Sequence, residues 1–240
     1  MVRIPSSPDH PLHPPTPESA KTDSFSRAGS AADFLPPSLT LPALKAAAAT
    51  CAGCDLYKRA TQTVFGEGPR KAAVVLVGEQ PGDQEDKVGR PFVGPAGGIL
   101  RKALAEAGIP RSQVYVTNAV KHFKWEPQGK RRKHKKPLAG EIAACRPWLD
   151  AELTVTQPKI VVCLGVTAAQ TVLGRPIRLG DERGKFLSGL AGRETFVTIH
   201  PSAVLRHPER EQQKQEYERL VSDLRQVQHK LLQGPPEPAA

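Results

Sequence analysis

Between Lys130 and Pro137 the chain reads KRRKHKKP, so one imidazole, His134, stands inside a run of six cations. A phosphate-binding strip that carries a neutral imidazole can deliver a nucleophile or general base to nucleic acid. The adjacent cations oppose protonation of His134, which predicts a free lone pair near neutral pH. The bland alternative is a solvated polybasic loop with an incidental histidine. Other residues of suitable type lie elsewhere in the chain. Cys51 and Cys54, spaced by Ala-Gly, can turn two thiolates toward one metal or cluster, although a redox pair or a zinc knuckle has the same spacing. Residues 78–97, GEQPGDQEDKVGRPFVGPAG, hold Glu79, Gln80 and Asp83 in a Gly/Pro-bounded loop, followed by Phe92 in a rigid turn where its ring can stack on a base. The segment matches neither the Walker pattern nor GxGxxG.

These residues need a frame. Apolar runs at 72–77, Val114–Asn118, Ile160–Leu164 and 195–199 are near-continuous, as in strands covered on both faces, and hence predict a parallel sheet. Helical periodicity falls at 96–107, 141–153, Val166–Leu173 and about 209–232. The expected fold class is α/β, a three-layer α/β/α sandwich on a central four-stranded parallel sheet, with ligands bound beyond the C-terminal strand ends. Three of those ends carry polar groups: the Glu79 loop, Thr117-Asn118, and His200-Pro201-Ser202. Residues 1–40 and 233–240, rich in Pro and small residues, read as disordered tails around one domain at 41–232.

A net charge of +10 and a pI near 9.6 favour a polyanionic partner. No apolar run reaches the roughly 20 residues that cross a bilayer, and no secretory signal is visible, so a soluble, cytoplasmic protein is expected. Four cysteines in that setting suggest metal or iron–sulfur chemistry rather than disulfides.

The 78–97 segment, Thr117-Asn118-Ala119-Val120-Lys121 and the late motif His200-Pro201-Ser202-Ala203-Val204-Leu205-Arg206 together resemble the uracil-DNA glycosylase superfamily, in its iron–sulfur branch that includes family 4. The resemblance covers about 180 residues from Cys51 onward. It implies that Phe92 stacks on uracil, that Asn118 reads the base edge with Gln80 and Asp83 nearby, and that His200 stabilises charge developing on uracil O2. It also implies a [4Fe-4S] cluster. The third family cysteine is replaced by His122, so the resemblance gives Cys51, Cys54, His122 and Cys145 as ligands, with an outside ligand or Cys163 as the alternative fourth; Cys163 itself reads as core. The cluster is expected to be structural.

The basic loop, longer than in family 4, resembles the UdgX group, whose members excise uracil and stay covalently bound to the DNA through the loop histidine. With neutral Gln80 beside Glu79, His134 is expected to attack C1′ while Glu79 accepts a hydrogen bond from its other nitrogen. Arg132 is expected to pair with Asp83 or Asp86. Lys130, Arg131, Arg132, Lys135, Lys136, Ser202 and Arg206 are the expected DNA contacts. The expected partner is uracil-containing DNA, preferably single-stranded, bound by a monomer. A turnover glycosylase and a catalytically silent nucleic-acid-binding module are the competing readings.

Overall fold

In the computed structural model, residues 29–189 and 192–233 are described; the expected tail segments 1–28 and 234–240 lie outside them. Four fully or largely buried strands, β1 (Val74–Gly78), β2 (Val114–Asn118), β5 (Ile160–Leu164) and β7 (Glu194–Thr198), run parallel in the order β2-β1-β5-β7. Their Val/Ile/Leu content meets the requirement of a sheet covered on both faces. A fifth strand, β6 (Phe186–Ser188), pairs antiparallel with β7 at the edge. The expected sheet of four is therefore five-stranded. Three residues, none of them fully buried, are too short a run to register as a strand in the sequence.

One face packs under α3 (Pro95–Glu106) and α8 (Arg210–Leu232). In α8, Leu220, Val221, Leu224 and Val227 are buried, one stripe of an otherwise charged helix. The other face packs under α4 (Ala139–Thr156) and α5 (Val166–Leu173). A third apolar cluster joins α1 (Leu41–Ala48), Cys51 and Phe65 to Cys145 and Trp148 of α4. Ala31, in a 3-10 turn at Ala31–Phe34, is fully buried in it, so the ordered domain begins before residue 41, contrary to the expected tail boundary. Small residues that look tail-like in sequence fit where two backbones meet.

A buried polar network sits under this joint. The Lys121 and Glu152 side chains are both fully buried and 2.7 Å apart. Glu152 also accepts from Tyr115 Oη, Thr117 Oγ1 and the Gly66 amide, while Lys121 Nζ also donates to Thr117 Oγ1 and the Asn118 carbonyl. Removing one member strands the other's charge. Lys121→Met is expected to lower unfolding stability by about 3–5 kcal/mol, read as a drop in the urea midpoint.

The basic loop is a β-hairpin, not the loop expected. β3 (Trp125–Gln128) and β4 (Arg131–His134) pair antiparallel, turning at Gly129, whose φ of 58° is the left-handed region that glycine enters without strain. The short elements α2 (Asp83–Val88) and α7 (Ser202–Arg206) follow β1 and β7, and a single turn, α6 (Leu179–Glu182), precedes β6. Among the described residues, no helix is long and apolar enough to cross a membrane.

Candidate active site

In the sheet order, β2 lies to one side of β1 and β5 to the other, which makes the gap beyond their C-terminal ends the topological switch point. A crevice of about 840 Å³ opens there. It gathers Glu79, Gln80, Asp83, Phe92, Asn118, His134, Lys136, His200, Ser202 and Arg206 from four separate segments of sequence.

The inner end is shaped to receive a flat polar ring. Phe92 has a φ of 54°, a conformation that costs a bulky residue of order 1–3 kcal/mol and persists only when its surroundings impose it. Arg101 Nη1 donates to its carbonyl at 3.0 Å, and Gly97 has no side chain because a Cβ there would collide with that carbonyl. Asn118, at the end of β2, is buried, and its Oδ1 has no hydrogen-bond partner. A buried acceptor left unpaired costs about 1–3 kcal/mol, so it awaits a donor. Gly78 makes the arrangement possible: a Cβ would stand 2.3 Å from Asn118 Oδ1 and 2.8 Å from the Phe92 ring.

His200 lies in the same space, its ring 6.1 Å from that of Phe92 between centroids. The Ser202 amide donates to its Nδ1 at 3.2 Å, and Arg206 Nη2 donates to Ser202 Oγ at 3.0 Å. An amide N–H can only donate, so Nδ1 is an acceptor. Burial first, then Arg206 and His134, push the His200 pKa down to about 4. The ring is therefore neutral with its proton on Nε2.

The hairpin forms the outer wall. Alternation along β4 puts Arg132 and His134 on one face and Arg131 and Lys133 on the other. Arg132 turns inward. Its Nε donates to Asp83 Oδ1 at 2.5 Å and its Nη1 to Asp86 Oδ2 at 2.6 Å, and its guanidinium lies 5.4 Å from the centroids of both Phe123 and Trp125. Asp86 is fully buried, so this ion pair fastens the hairpin to α2. Both expected carboxylates are engaged, so Arg132, still partly exposed, docks the hairpin against α2. Asp83 lines the crevice but is also held by Lys87 at 2.6 Å. Lys135 pairs with Glu126 at 2.9 Å, while Lys130 and Arg131 are exposed at the turn. These last three do not line the crevice.

Gln80 orients His134. The Lys124 amide donates to Gln80 Oε1 at 3.0 Å, which fixes the carboxamide, so Gln80 Nε2 is the donor to Lys135 O and to His134 Nε2, each at 2.8 Å. His134 Nε2 thus presents its lone pair and Nδ1 carries the proton. The nitrogen that faces Glu79 is the same Nε2, at 3.7 Å from Oε1. The expected Glu79 hydrogen bond to the second nitrogen is absent; Gln80, not Glu79, sets the tautomer. The pKa of His134 lies below the usual imidazole value, mainly because the crevice wall withdraws water from it, with Arg206 adding to the effect and Glu79 opposing it. The neighbouring hairpin cations, expected to be the cause, are not among the groups that shift it.

The cysteines form a separate region. Cys51, Cys54 and Cys145 share one apolar cluster; Trp148 Nε1 donates to Cys51 Sγ and the Lys121 amide to Cys145 Sγ, both at 3.2 Å. Burial pushes the Cys145 thiol up to about 12. His122 is buried, with Nε2 2.9 Å from Thr63 Oγ1, whose own proton goes to Ala48 O. That leaves His122 Nδ1 as an unpartnered lone pair in a ring kept neutral, its pKa driven to about 4 by burial. Three thiols and one bare imidazole nitrogen are the donor set an iron–sulfur cluster takes, and N–H···S bonds of this kind support its ligands. Among the described residues, no three His, Cys, Asp or Glu converge closely enough to hold a single metal ion. Cys163 lies in the β5 core, away from the group.

Sequence reasoning missed Thr167, whose hydroxyl donates to Glu79 Oε2 at 2.5 Å, and Leu205, an exposed apolar residue at the crevice rim. Nothing in a helix-forming VTAAQTVL stretch or an HPSAVLR motif separates these residues from packing positions.

A buried aromatic ring, an unpaired amide acceptor and a neutral histidine thus meet at the switch point of a parallel sheet in a three-layer α/β protein. Residues 65–225 match the family model described as the Uracil DNA glycosylase superfamily. The chain belongs to that superfamily. It is 39% identical over 165 residues to a type-4 uracil-DNA glycosylase of Pyrobaculum aerophilum, covering 66% of this chain and 81% of the relative. It is 39% identical over 158 residues to that of Thermotoga maritima (65% and 79%), and 35% identical over 189 residues to that of Archaeoglobus fulgidus (74% and 86%).

Proposed function

We propose that this protein excises uracil from DNA and then captures the abasic C1′ on His134, as in the UdgX group. The observation that carries the uracil reading is the orphaned Asn118 Oδ1 opposite Phe92. Uracil N3–H is the donor it lacks, and the Phe92 ring supplies the stacking face. A base reaches this depth only when flipped from its stack, which costs least in single-stranded DNA, the preferred substrate. The type-4 relatives support excision, within DNA repair.

The C1′–N1 bond breaks with its electron pair passing to uracil, whose O2 accepts a hydrogen bond from His200 Nε2–H. The Glu79 carboxylate faces the cationic sugar. His134 Nε2, released from the Gln80 amide, donates its lone pair to C1′. The Nδ1 proton is then lost to solvent while the uracil anion takes one up, so no water is consumed. Exposed Lys130, Arg131 and Lys136, with Ser202 and Arg206 at the far rim, hold the flanking phosphates. Two features support capture over turnover: the neutral amide at position 80 cannot deprotonate water, and His134 Nε2 stands 3.7 Å from Glu79 Oε1.

Incubation with uracil-containing single-stranded DNA is expected to give one uracil per protein and a band that survives denaturation. Many uracils per protein with no such band would instead establish ordinary turnover, the activity the names of the type-4 relatives favour. Because both histidines act neutral and burial holds both pKa values below the usual imidazole value, the capture rate is expected to stay level as pH falls from 8 and to be lost only below the pH at which an ordinary imidazole is half protonated. Half-loss already at pH 6.5, where an ordinary imidazole is half protonated, would contradict that sign.

Cys51, Cys54, His122 and Cys145 would hold a [4Fe-4S] cluster. When bound, the cluster supplies a structural crosslink between the segment after α1, the strand-end residues after β2, and α4. Purified protein is expected to be brown, with about four irons and four sulfides, and His122→Ala to lose much of both. A colourless, zinc-containing preparation would refute the assignment.

A further inference from the structure

The crevice carboxylate has a partner that the reaction just described does not use. Thr167 lies in the first turn of α5, where the chain leaves β5 through Gly165, and it faces Glu79 across the switch point. Its hydroxyl donates to Glu79 Oε2 at 2.5 Å; among the described residues it has no other hydrogen-bond partner. We infer that Thr167 is the positioning residue for Glu79: it ties down Oε2 so that Oε1 is held toward the nucleophile and the sugar carbon.

Three observations carry this. The terminal torsion of a glutamate is soft and roughly two-fold, so an untethered carboxylate does not hold one oxygen in one place. A short hydroxyl-to-carboxylate bond is of the strong, charge-assisted kind and selects one plane. With Oε2 engaged, the free oxygen is Oε1, the one 3.7 Å from His134 Nε2. The same turn also meets the late motif: a Cβ at Gly165 would come within 3.3 Å of His200 Cβ, so α5 enters against the strand end that carries the uracil-facing histidine. Packing does not require the hydroxyl, because valine has the same shape and branching. Thr167 is 4% exposed, and a hydroxyl buried there without need would be a liability.

The inference rests on the proposed uracil excision, and its test is read on excision rather than on the adduct. Single-turnover uracil release would be measured for wild type, Thr167→Val and Thr167→Ser, alone and with Glu79→Gln, alongside binding of uracil-containing DNA by fluorescence anisotropy and thermal melting. Thr167→Val is expected to slow release roughly ten- to a hundredfold with DNA affinity and melting little changed, and Thr167→Ser to recover to within about threefold of wild type. With Glu79→Gln present, Thr167→Val is expected to cost less than about twofold, since the group it positions is gone. A purely structural role predicts the same cost in both backgrounds and no selective rescue by serine. Either of those outcomes, or a Thr167→Val rate within about twofold of wild type, overturns the inference. Wild-type protein that releases no uracil at all overturns the proposed excision, and this inference with it.

Discussion

Replacing His134 with glycine is expected to abolish the denaturation-resistant adduct while uracil is still released, now with more than one uracil per protein. In the proposed mechanism the imidazole supplies the bond to C1′, whereas bond cleavage is assigned to Phe92, Asn118, His200 and Glu79, none of which hydrogen-bonds His134. The hydrogen-bond partner it loses is Gln80 Nε2, which keeps its bond to Lys135 O at 2.8 Å. The space left by the ring, beside the Glu79 carboxylate, admits a water that can capture C1′ instead. Lysis of the glycosidic bond should therefore persist within about tenfold, because stabilisation of the leaving uracil is the larger electrostatic contribution. Loss of uracil release together with the adduct would mean that the cleavage machinery itself depends on the hairpin histidine.

The second large effect concerns the docking of the hairpin. Arg132→Ala removes the cation from Asp86, a fully buried carboxylate whose remaining partner is Thr61, through its amide at 2.9 Å and its hydroxyl at 2.6 Å. It also empties the slot between Phe123 and Trp125. Stranding a buried charge costs about 3–5 kcal/mol; because Arg132 is partly solvated, a cost nearer 2–3 kcal/mol is expected, or roughly a hundredfold on the fraction of molecules with a docked hairpin. Capture should fall by about that factor, whereas uracil release should fall far less, since only His134 and Lys136 reach the crevice from this segment. Arg132→Lys keeps the charge but cannot make both carboxylate bonds or fill the aromatic slot, and should recover only part of the loss. An equal fall in capture and release would show that the hairpin is part of the cleavage site rather than a separate capture arm.

Much of this site is legible in the sequence because strand ends announce themselves. Val114–Asn118 and Ile160–Leu164 appear in the structure with the predicted bounds, and the last residue of β2 and the residues just beyond β1 and β7 line the crevice. Glu79, Asn118 and His200 are legible because a buried apolar run that stops at a polar residue delivers that residue to the C-terminal edge of the sheet, where ligands bind. The hairpin is not legible: its charged residues carry no apolar alternation, and its pairing is fixed by Arg132 reaching Asp83 and Asp86, 49 and 46 residues earlier. For the same reason sequence adjacency points to the wrong cause of the His134 shift. Adjacent cations in sequence alternate across a strand in space, and the cation that matters, Arg206, lies 72 positions away in α7. Thr167 shows the same limit, since only the tertiary fold brings a helix-start threonine to a carboxylate 88 residues before it.

The central claim is that a covalent bond forms between His134 Nε2 and the sugar carbon. Its most direct test is peptide mapping by mass spectrometry of the adduct formed on a short uracil-containing single-stranded oligonucleotide. A DNA-derived mass on the peptide carrying His134, localised to its imidazole and matched by one released uracil per protein, is the predicted result. The same mass on any other residue, or unmodified protein after many uracils have been released, would contradict it.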